Sequence, residues 1–550
     1  MDYIKLTEIL FPQELKTPDD YEAIYPKRTM PDHGKVTRLA PSPTGFIHLG
    51  NLYGAFADER LARQSKGLFF LRIEDTDDKR LVEGATEILL NSLERFGISF
   101  DEGAMKAGEC GEYGPYYQSN RQEIYQCYAK SLVEKGLAYP CFLGESEIQE
   151  IRNQQEAEKQ NPGIYGEWAS SRNMSLEEIE KKTDSGIPYV IRLYSKGNPD
   201  NPKTVFVKDG IRGTLEIPEN TQDVVILKAN GMPTYHFAHV IDDHLMRTTH
   251  VIRGAEWLAS LAIHVELFEV LGFEKPIYCH TAQLMKLDDQ GNKRKLSKRL
   301  DPELSLEYYR EQGYHPKAVR EYLMTLLNSN FEEWRMENPE NPLEDFAFSM
   351  ERMKSGDALF DLDKLRDISK DVLLKESPED LARFLMEWAK EFAPVGYEAM
   401  RGKEDYLKRV LNLGRNIDKP RKDLINGEQI FEFIGYFFDE FFKIEDSMPE
   451  NVSPEDEKSI LRKYLETYDP NEDQGEWFGK IREIGESLNY APRPKDFKKE
   501  PEKYKGHVGD VSTVIRIALM GRSQSPDLWE IQQILGEKVT RQRIQDQIEK

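Results

Sequence analysis

Cysteine is scarce in this chain: Cys110, Cys127, Cys141 and Cys279 are the four among 550 residues. Their wide spacing excludes both a disulfide framework and a Cys-x-x-Cys metal site. No apolar run approaches the length of a membrane span. The start Met1-Asp2-Tyr3-Ile4-Lys5 lacks the basic and apolar regions of a signal peptide. Repeats and low-complexity tracts are missing as well. Positive charge is in deficit, with 75 Lys and Arg against 98 Asp and Glu, a formal net charge of −23. That average disfavours a nucleic-acid partner, which needs clustered Lys and Arg. These absences predict a soluble cytoplasmic protein with no membrane association.

What is present is globular. Hydrophobic content of 39% with 31% charged residues suits packed cores, and the length accommodates about three or four domains. Charge is also local. Five of the seven residues from Lys293 to Arg299 are basic, behind a turn at Asp288-Asp289-Gln290-Gly291-Asn292 and an apolar strand at Ile277-Tyr278-Cys279. Further basic stretches are Lys408-Arg409, Lys419 to Lys422, Lys495 to Lys505 and Arg541-Gln542-Arg543. Each of these, taken alone, reads as solvated surface.

The segment Arg38-Leu39-Ala40-Pro41-Ser42-Pro43-Thr44-Gly45-Phe46-Ile47-His48-Leu49-Gly50-Asn51 carries the strongest chemical signal. Val36 to Ala40 reads as a buried strand, Pro41 to Gly45 as turn, and Leu49 to Ser65 as a helix with Leu49, Leu52, Phe56 and Leu61 on one face. Gly67 stops it, and Leu68 to Ile73 reads as a second strand paired in parallel through the right-handed crossover. In such a unit the first loop lies at the carboxyl end of a strand, where free N–H groups at the helix start favour an anion. His48 adds a donor, and Gly50 leaves room for a nucleotide to approach the backbone. A mobile basic loop at Lys295-Leu296-Ser297-Lys298-Arg299 completes a site for adenylate chemistry.

With these residues the chain resembles the glutamyl-tRNA synthetases of the bacterial type, class I aminoacyl-tRNA synthetases. Pro41 to Gly50 is similar to their version of the His-Ile-Gly-His signature, and Lys295 to Arg299 to their Lys-Met-Ser-Lys-Ser loop. Leu71-Arg72-Ile73-Glu74-Asp75-Thr76-Asp77, Pro233-Thr234-Tyr235-His236, Asp242-Asp243-His244-Leu245-Met246 and Val251-Ile252-Arg253-Gly254-Ala255-Glu256-Trp257 extend the likeness, which is dense from about residue 34 to about 330. It implies a multidomain α/β protein: a class I Rossmann-like, doubly wound parallel-sheet catalytic domain with an inserted α/β domain, then an all-α anticodon-binding region. The expected divisions are an N-terminal extension (1–33, of unreadable role), the catalytic halves (34–115 and 220–300), an inserted acceptor-end-binding domain (116–219), a stem-contact region (301–370) and the helical anticodon-binding domain (371–550). Apolar stripes at Leu381, Phe384, Leu385, Trp388, at Phe431, Ile434, Phe438, Phe441, and at Ile531, Ile534, Leu535 read as its helical core.

The implied reaction attaches L-glutamate to tRNA(Glu) through a glutamyl-adenylate, with ATP and Mg²⁺, in a monomer. The resemblance assigns catalysis to His48, Lys295, Ser297 and Lys298. ATP contacts fall to Pro41, Ser42, Thr44, Gly45, His48, Gly50, Asn51, Glu256 and Lys298, and the glutamate pocket to Arg38, Ala40, Ser42, Glu74, Tyr235 and Arg253. Arginine suits a carboxylate because its planar fork binds bidentately. Glu74 would receive the ammonium group; its alternative reading is a salt bridge to Arg72 or Lys79.

Two positions depart from the family. His239 stands where many relatives have Asn, and a histidine can titrate near neutrality. Relatives with zinc in the inserted domain use Cys-x-Cys and a later Cys, whereas Cys141-Phe142-Leu143 and Ser170-Ser171 leave one thiol, so no structural zinc is expected. Elemental analysis should therefore find well under one zinc per chain, and chelation followed by Mg²⁺ repletion should leave activity intact; stoichiometric zinc would overturn this expectation.

Other readings stay open. A glutaminyl-tRNA synthetase shares the fold but reads Pro-Glu-Pro-Asn where this chain has Pro41-Ser42-Pro43-Thr44. A truncated glutamyl transferase acting on a modified tRNA base lacks the long C-terminal region. A non-enzymatic RNA-binding protein would have no use for His48, Glu74 and Lys298 together. Whether tRNA(Gln) is charged as well as tRNA(Glu) is not legible.

Overall fold

The computed structural model describes residues 1–43, 47–77, 82 and 84–550; the expected sites Thr44 and Gly45, and Lys79, lie outside the described residues. Two compact units form: Met1–Leu306 with Arg320–Asp361, and Glu307–Val319 with Leu362–Lys550. The expected stem-contact region is thus divided between both units.

In the first unit, β1 (Val36–Leu39) is buried throughout and pairs in parallel with β2 (Leu68–Leu71), across the helix Leu49–Gln64. The strand–helix–strand expectation holds, with each strand slightly shorter. Gly67 closes the unit because the backbone of Lys35 passes against it: a Cβ there would meet the Lys35 carbonyl oxygen at 1.9 Å. β3 (Glu102–Met105) adds in parallel to β2, and β4 (Gly108–Cys110) forms an antiparallel edge.

The next strands interleave two sheets. β5 (Ala138–Cys141) and β6 (Val190–Leu193) are antiparallel. β7 (Thr204–Asp209) and β8 (Gly213–Pro218) form a hairpin, and β9 (Val225–Leu227) returns to pair with β6. β10 (His250–Gly254) runs parallel to β11 (Ile277–Thr281), and β7 joins β11 where Asp209 faces Tyr278. The sheet orders are therefore β5-β6-β9 and β10-β11-β7-β8. An insert bounded at 116 and 219 does not follow this pairing, because β7 and β8 belong with β10–β11 while β9 belongs with β5–β6. The two catalytic halves meet at Val36 and Thr249, whose backbone N–H groups reach Thr249 Oγ1 at 2.8 Å and the Val36 carbonyl at 3.0 Å.

β12 (Leu284–Leu287) and β13 (Lys293–Lys295) make the hairpin carrying the basic loop, and β14 (Ala358–Leu359) lies on the other side of β12. The predicted turn forms because the Asp288 carboxylate accepts the N–H groups of Gln290 and Asn292 at 2.9 and 2.8 Å, with Gly291 at φ +81°.

The extension ahead of β1 is ordered. Its helices Tyr3–Leu10 and Pro18–Ile24 bury Leu6, Leu10 and Tyr21, joined by the C-cap Tyr25, in the same core as Tyr125 and Tyr128. Arg28 binds Glu102 through two hydrogen bonds of 2.9 Å, and Glu22 accepts from Arg247 at 2.7 Å.

The second unit is helical. Leu381, Leu385, Trp388, Ile434, Phe438, Ile531 and Leu535 are in its core, with Phe431, Phe441 and Ile534 packed on it. Ser377, Ser453, Asp473 and Asp527 cap helices by accepting N–H bonds, as short polar side chains do. Arg543, read from sequence as part of a surface patch, is 4% exposed. It donates to the carbonyls of Leu519 and Tyr436 at 2.7 and 2.8 Å, so it braces the core. Among the described residues no helix is long and apolar enough to cross a membrane.

Candidate active site

A cleft of 830 Å³ opens in the first unit at the carboxyl ends of β1 and β10, where parallel sheets place ligands. Of the expected residues it is lined by Arg38, Ala40, Pro41, Ser42, His48, Gly50, Asn51, Glu74, Tyr235, Arg253, Glu256, Lys295 and Lys298. Ser297 is not among the lining residues. Its N–H donates to Asp301 at 2.8 Å, which makes it part of the loop's anchor.

The helix start is built as the sequence suggests, and Asn51 takes a structural bond in addition. His48 is the N-cap of Leu49–Gln64 and its N–H donates to Asn51 Oδ1 at 3.0 Å; Asn51 caps the helix. The His48 ring folds over Gly50, where a Cβ would lie 2.9 Å from Nδ1. Burial lowers the His48 pKa, and Lys298 lowers it further against the opposing pull of Glu256. Gly254 serves similarly: a Cβ there would sit 2.2 Å from a Glu256 carboxylate oxygen. Across the cleft, Asp301 takes two hydrogen bonds from Arg294, at 2.6 and 2.7 Å. The Arg294 bonds hold its carboxyl at about 2, so the base of the basic loop stays charged and tied.

The amino-acid end is a buried charge cluster. Arg72, wholly buried, binds Asp243 at 2.6 Å and Glu74 at 3.0 Å. Arg38 Nε lies 3.4 Å from the same Asp243 oxygen. Asp242 accepts from Arg121 at 2.7 Å, Gln118 at 2.8 Å and Tyr125 at 2.9 Å. Burial alone would raise the Asp243 carboxyl, but Arg72 and then Arg38 drag it well below its ordinary value. For Glu74 burial wins over Arg72 and Arg38, and its pKa rises. Burial also raises Asp58 well above its ordinary value, favouring the neutral acid. The salt-bridge reading of Glu74 with Arg72 is present in the structure, and Glu74 lines the cleft as well.

His239 corrects an expectation. It is fully buried, with Nδ1 3.0 Å from Asp243 and Nε2 3.1 Å from the Tyr278 hydroxyl, and it does not line the cleft. Burial drives it down to about 4, so it is neutral near pH 7 and does not titrate there.

Lys228 and Gln118 had no signal in the sequence, and Trp257 was visible only as the end of a matched motif. Lys228, which donates to the Thr76 carbonyl at 2.8 Å, lines the cleft with Gln118 and Trp257, and the Trp257 ring lies 4.5 Å from that of Tyr235. Asp243 lay inside a matched motif, but its role as a hub needed the fold. Among the described residues no group of three His, Cys, Asp or Glu is arranged to hold a metal ion.

Residues 35–367 match the family model for the catalytic domain of class I tRNA synthetases (E and Q), and residues 495–548 one for an anticodon binding domain. The chain is 61% identical over 546 residues to a glutamate–tRNA ligase of Acetivibrio thermocellus, covering 99% of this chain and 100% of that one. It is 48% identical to one of Clostridium perfringens strain 13, with 99% and 100% covered. A solved glutamate tRNA ligase from Elizabethkingia meningosepticum, in complex with its amino acid, superposes with a TM-score of 0.75 at 27% identity, covering 94% of this chain and 99% of that one.

Proposed function

Since this chain belongs to the glutamate–tRNA ligases, class I aminoacyl-tRNA synthetases, we infer that it joins L-glutamate to tRNA(Glu) at the expense of ATP, using the cleft of the first unit. The observation that carries the assignment of the site is the meeting, in one cleft, of the His48 helix start, the basic loop bearing Lys295 and Lys298, and the Arg38, Glu74, Arg253 cluster. An α-carboxylate oxygen of glutamate attacks the α-phosphorus, and the bond to pyrophosphate breaks. The terminal ribose hydroxyl of tRNA then attacks the acyl carbon and AMP leaves. No protein nucleophile is needed, so positioning and charge stabilisation supply the catalysis.

In this reading His48 and the helix start hold phosphate oxygens, and Lys298 meets the charge growing on pyrophosphate. Glu74 takes the substrate ammonium. Arg38 and Arg253 are the cations of the pocket, and the charge balance favours Arg253 for a carboxylate, because Arg38 already shares Asp243 with Arg72. Pro41, Ser42 and Gly50 shape the nucleotide side. Mg²⁺ would enter with ATP as part of the substrate and neutralise phosphate charge. The second unit, with its anticodon-domain match, reads the far end of the tRNA. We place the enzyme in the cytoplasm as a monomer.

The test concerns completeness of the pocket. We expect glutamate-dependent ATP–pyrophosphate exchange near background for protein alone and a strong signal once tRNA(Glu) is added, the acceptor end completing the site by induced fit. Robust exchange without RNA would sink the induced-fit claim. Exchange supported by glutamine and not glutamate would move the substrate to the glutaminyl type, and parallel charging of purified tRNA(Glu) and tRNA(Gln) reads RNA discrimination directly.

A further inference from the structure

Arg253 is held unlike the buried guanidiniums of Arg38, Arg72 and Arg121. Arg38 and Arg72 converge on the Asp243 carboxylate, and Arg121 on Asp242. The Arg253 Nε instead donates to His280 Nε2 at 2.9 Å, and its Nη1 to His264 Nδ1 at 3.0 Å. No carboxylate among the described residues is ion-paired with it. Its Nη2 is buried without a hydrogen bond of good geometry, and the ring of Tyr278 lies 4.4 Å from the guanidinium carbon.

Guanidinium has donors and no acceptor, so both facing ring nitrogens must accept. This determines two tautomers. His280 carries its proton on Nδ1, which lies 2.6 Å from Asp209 Oδ2. His264 carries its proton on Nε2, which lies 2.9 Å from His236 Nδ1. Register and helix placement make the cradle: β10–β11 pairing sets Arg253 directly opposite His280, while His264 comes from the helix Leu261–Leu271. Both rings are completely buried. Burial keeps His264 far below its ordinary pKa, and holds His280 down against the pull of Asp209.

A cation meant to receive a carboxylate must be oriented without being neutralised. An Asp or Glu partner orients an arginine but cancels its charge and competes with the substrate; a neutral imidazole orients it and leaves the charge intact. We propose that His264 and His280 are positioning residues that hold Arg253 between two neutral acceptors, so that it presents an uncompensated charge to a carboxylate of the amino-acid substrate. This deepens the proposed function and rests on the reading of Arg253 as a substrate cation.

The experiment compares His264→Asn with His264→Asp in the full-length enzyme with tRNA(Glu), reading KM for glutamate, KM for ATP, kcat and melting temperature. Asn retains an acceptor where Nδ1 stood, and its glutamate KM should stay close to wild type. Asp makes the stronger hydrogen bond yet should raise glutamate KM at least about tenfold, because it neutralises Arg253, with ATP KM unchanged. A merely structural role predicts Asp no worse than Asn, and that result overturns the proposal. Should neither variant fold, His280→Gln against His280→Leu gives the equivalent comparison: Gln keeps the acceptor and glutamate KM, Leu loses both, and equal values overturn the proposal. Arg253→Gln separates the two levels. If it leaves glutamate KM unchanged, the reading of Arg253 itself fails; if it raises KM while Asn and Asp at 264 behave alike, only the cradle fails.

Discussion

Lys298→Ala is expected to slow glutamyl-adenylate formation by about 10²–10³-fold, the usual loss when one preorganised donor to a developing oxyanion is removed. The cause is geometric and electrostatic. Lys298 lines the same cleft as the His48 helix start, and its charge acts on the His48 ring, so the two groups face one volume. Charge on the leaving pyrophosphate grows as the bond to the α-phosphorus breaks, which makes this interaction stronger in the transition state than in bound ATP. Single-turnover adenylate formation with tRNA present should show the loss, with glutamate binding little changed. A variant whose sole defect is a raised KM for ATP would place Lys298 in ground-state binding instead.

Asp243→Ala should have the largest effect on stability, about 3–5 kcal/mol, the range for removing one partner of a buried ion cluster. Arg72 at 2.6 Å and Arg38 at 3.4 Å both rely on this carboxylate; Arg72 is wholly buried and Arg38 nearly so. Activity should vanish too, because Arg38 and Arg72 position the cleft. The pH dependence has a definite sign. The Asp243 carboxyl lies well below its ordinary value in the fold, so its contribution is complete above the unfolded pKa near 3.8 and is lost as pH falls towards the folded value. The stability gap between wild type and variant should therefore be flat from about pH 5 to about pH 8 and shrink below about pH 4. Thermal unfolding across that range checks both size and shape; a wild-type melting temperature for the variant at neutral pH refutes the hub.

The helix start at His48 and the turn at Asp288 to Asn292 were legible because each is local, whereas the basic segment behind that turn, read as a loop, begins as the strand Lys293–Lys295. An anion site made of backbone N–H groups needs a strand, a turn and a helix in sequence, and a turn is written in its own Asp, Gly and Asn residues. Asn51 shows the limit: its residue type allows both accepting and donating, and only the fold shows that its side-chain oxygen accepts the N–H of His48, which leaves the amide N–H groups for donation. His239 shows another, since its titration is decided by burial against Asp243 and Tyr278, which no local pattern records. Arg543 sits in a basic run yet ends inside the helical core, because the carbonyls it serves belong to Tyr436 and Leu519, far away along the chain.

By itself the sequence determined the class of chemistry, the family, the parallel nucleotide-binding unit, the helical C-terminal region and a core set of cleft residues, since all of these are written in contiguous motifs and periodicities. Tertiary structure alone decided which arginines are paired with a carboxylate, how β7, β8 and β9 are shared between two sheets, and where the compact units divide. Arg38, Arg72, Asp243, Arg253, His264 and His280 are brought together by strand register and helix packing. Whether a buried cation is compensated depends on which groups end within about 3 Å of it, the range of a hydrogen bond, and no spacing along the chain encodes that distance.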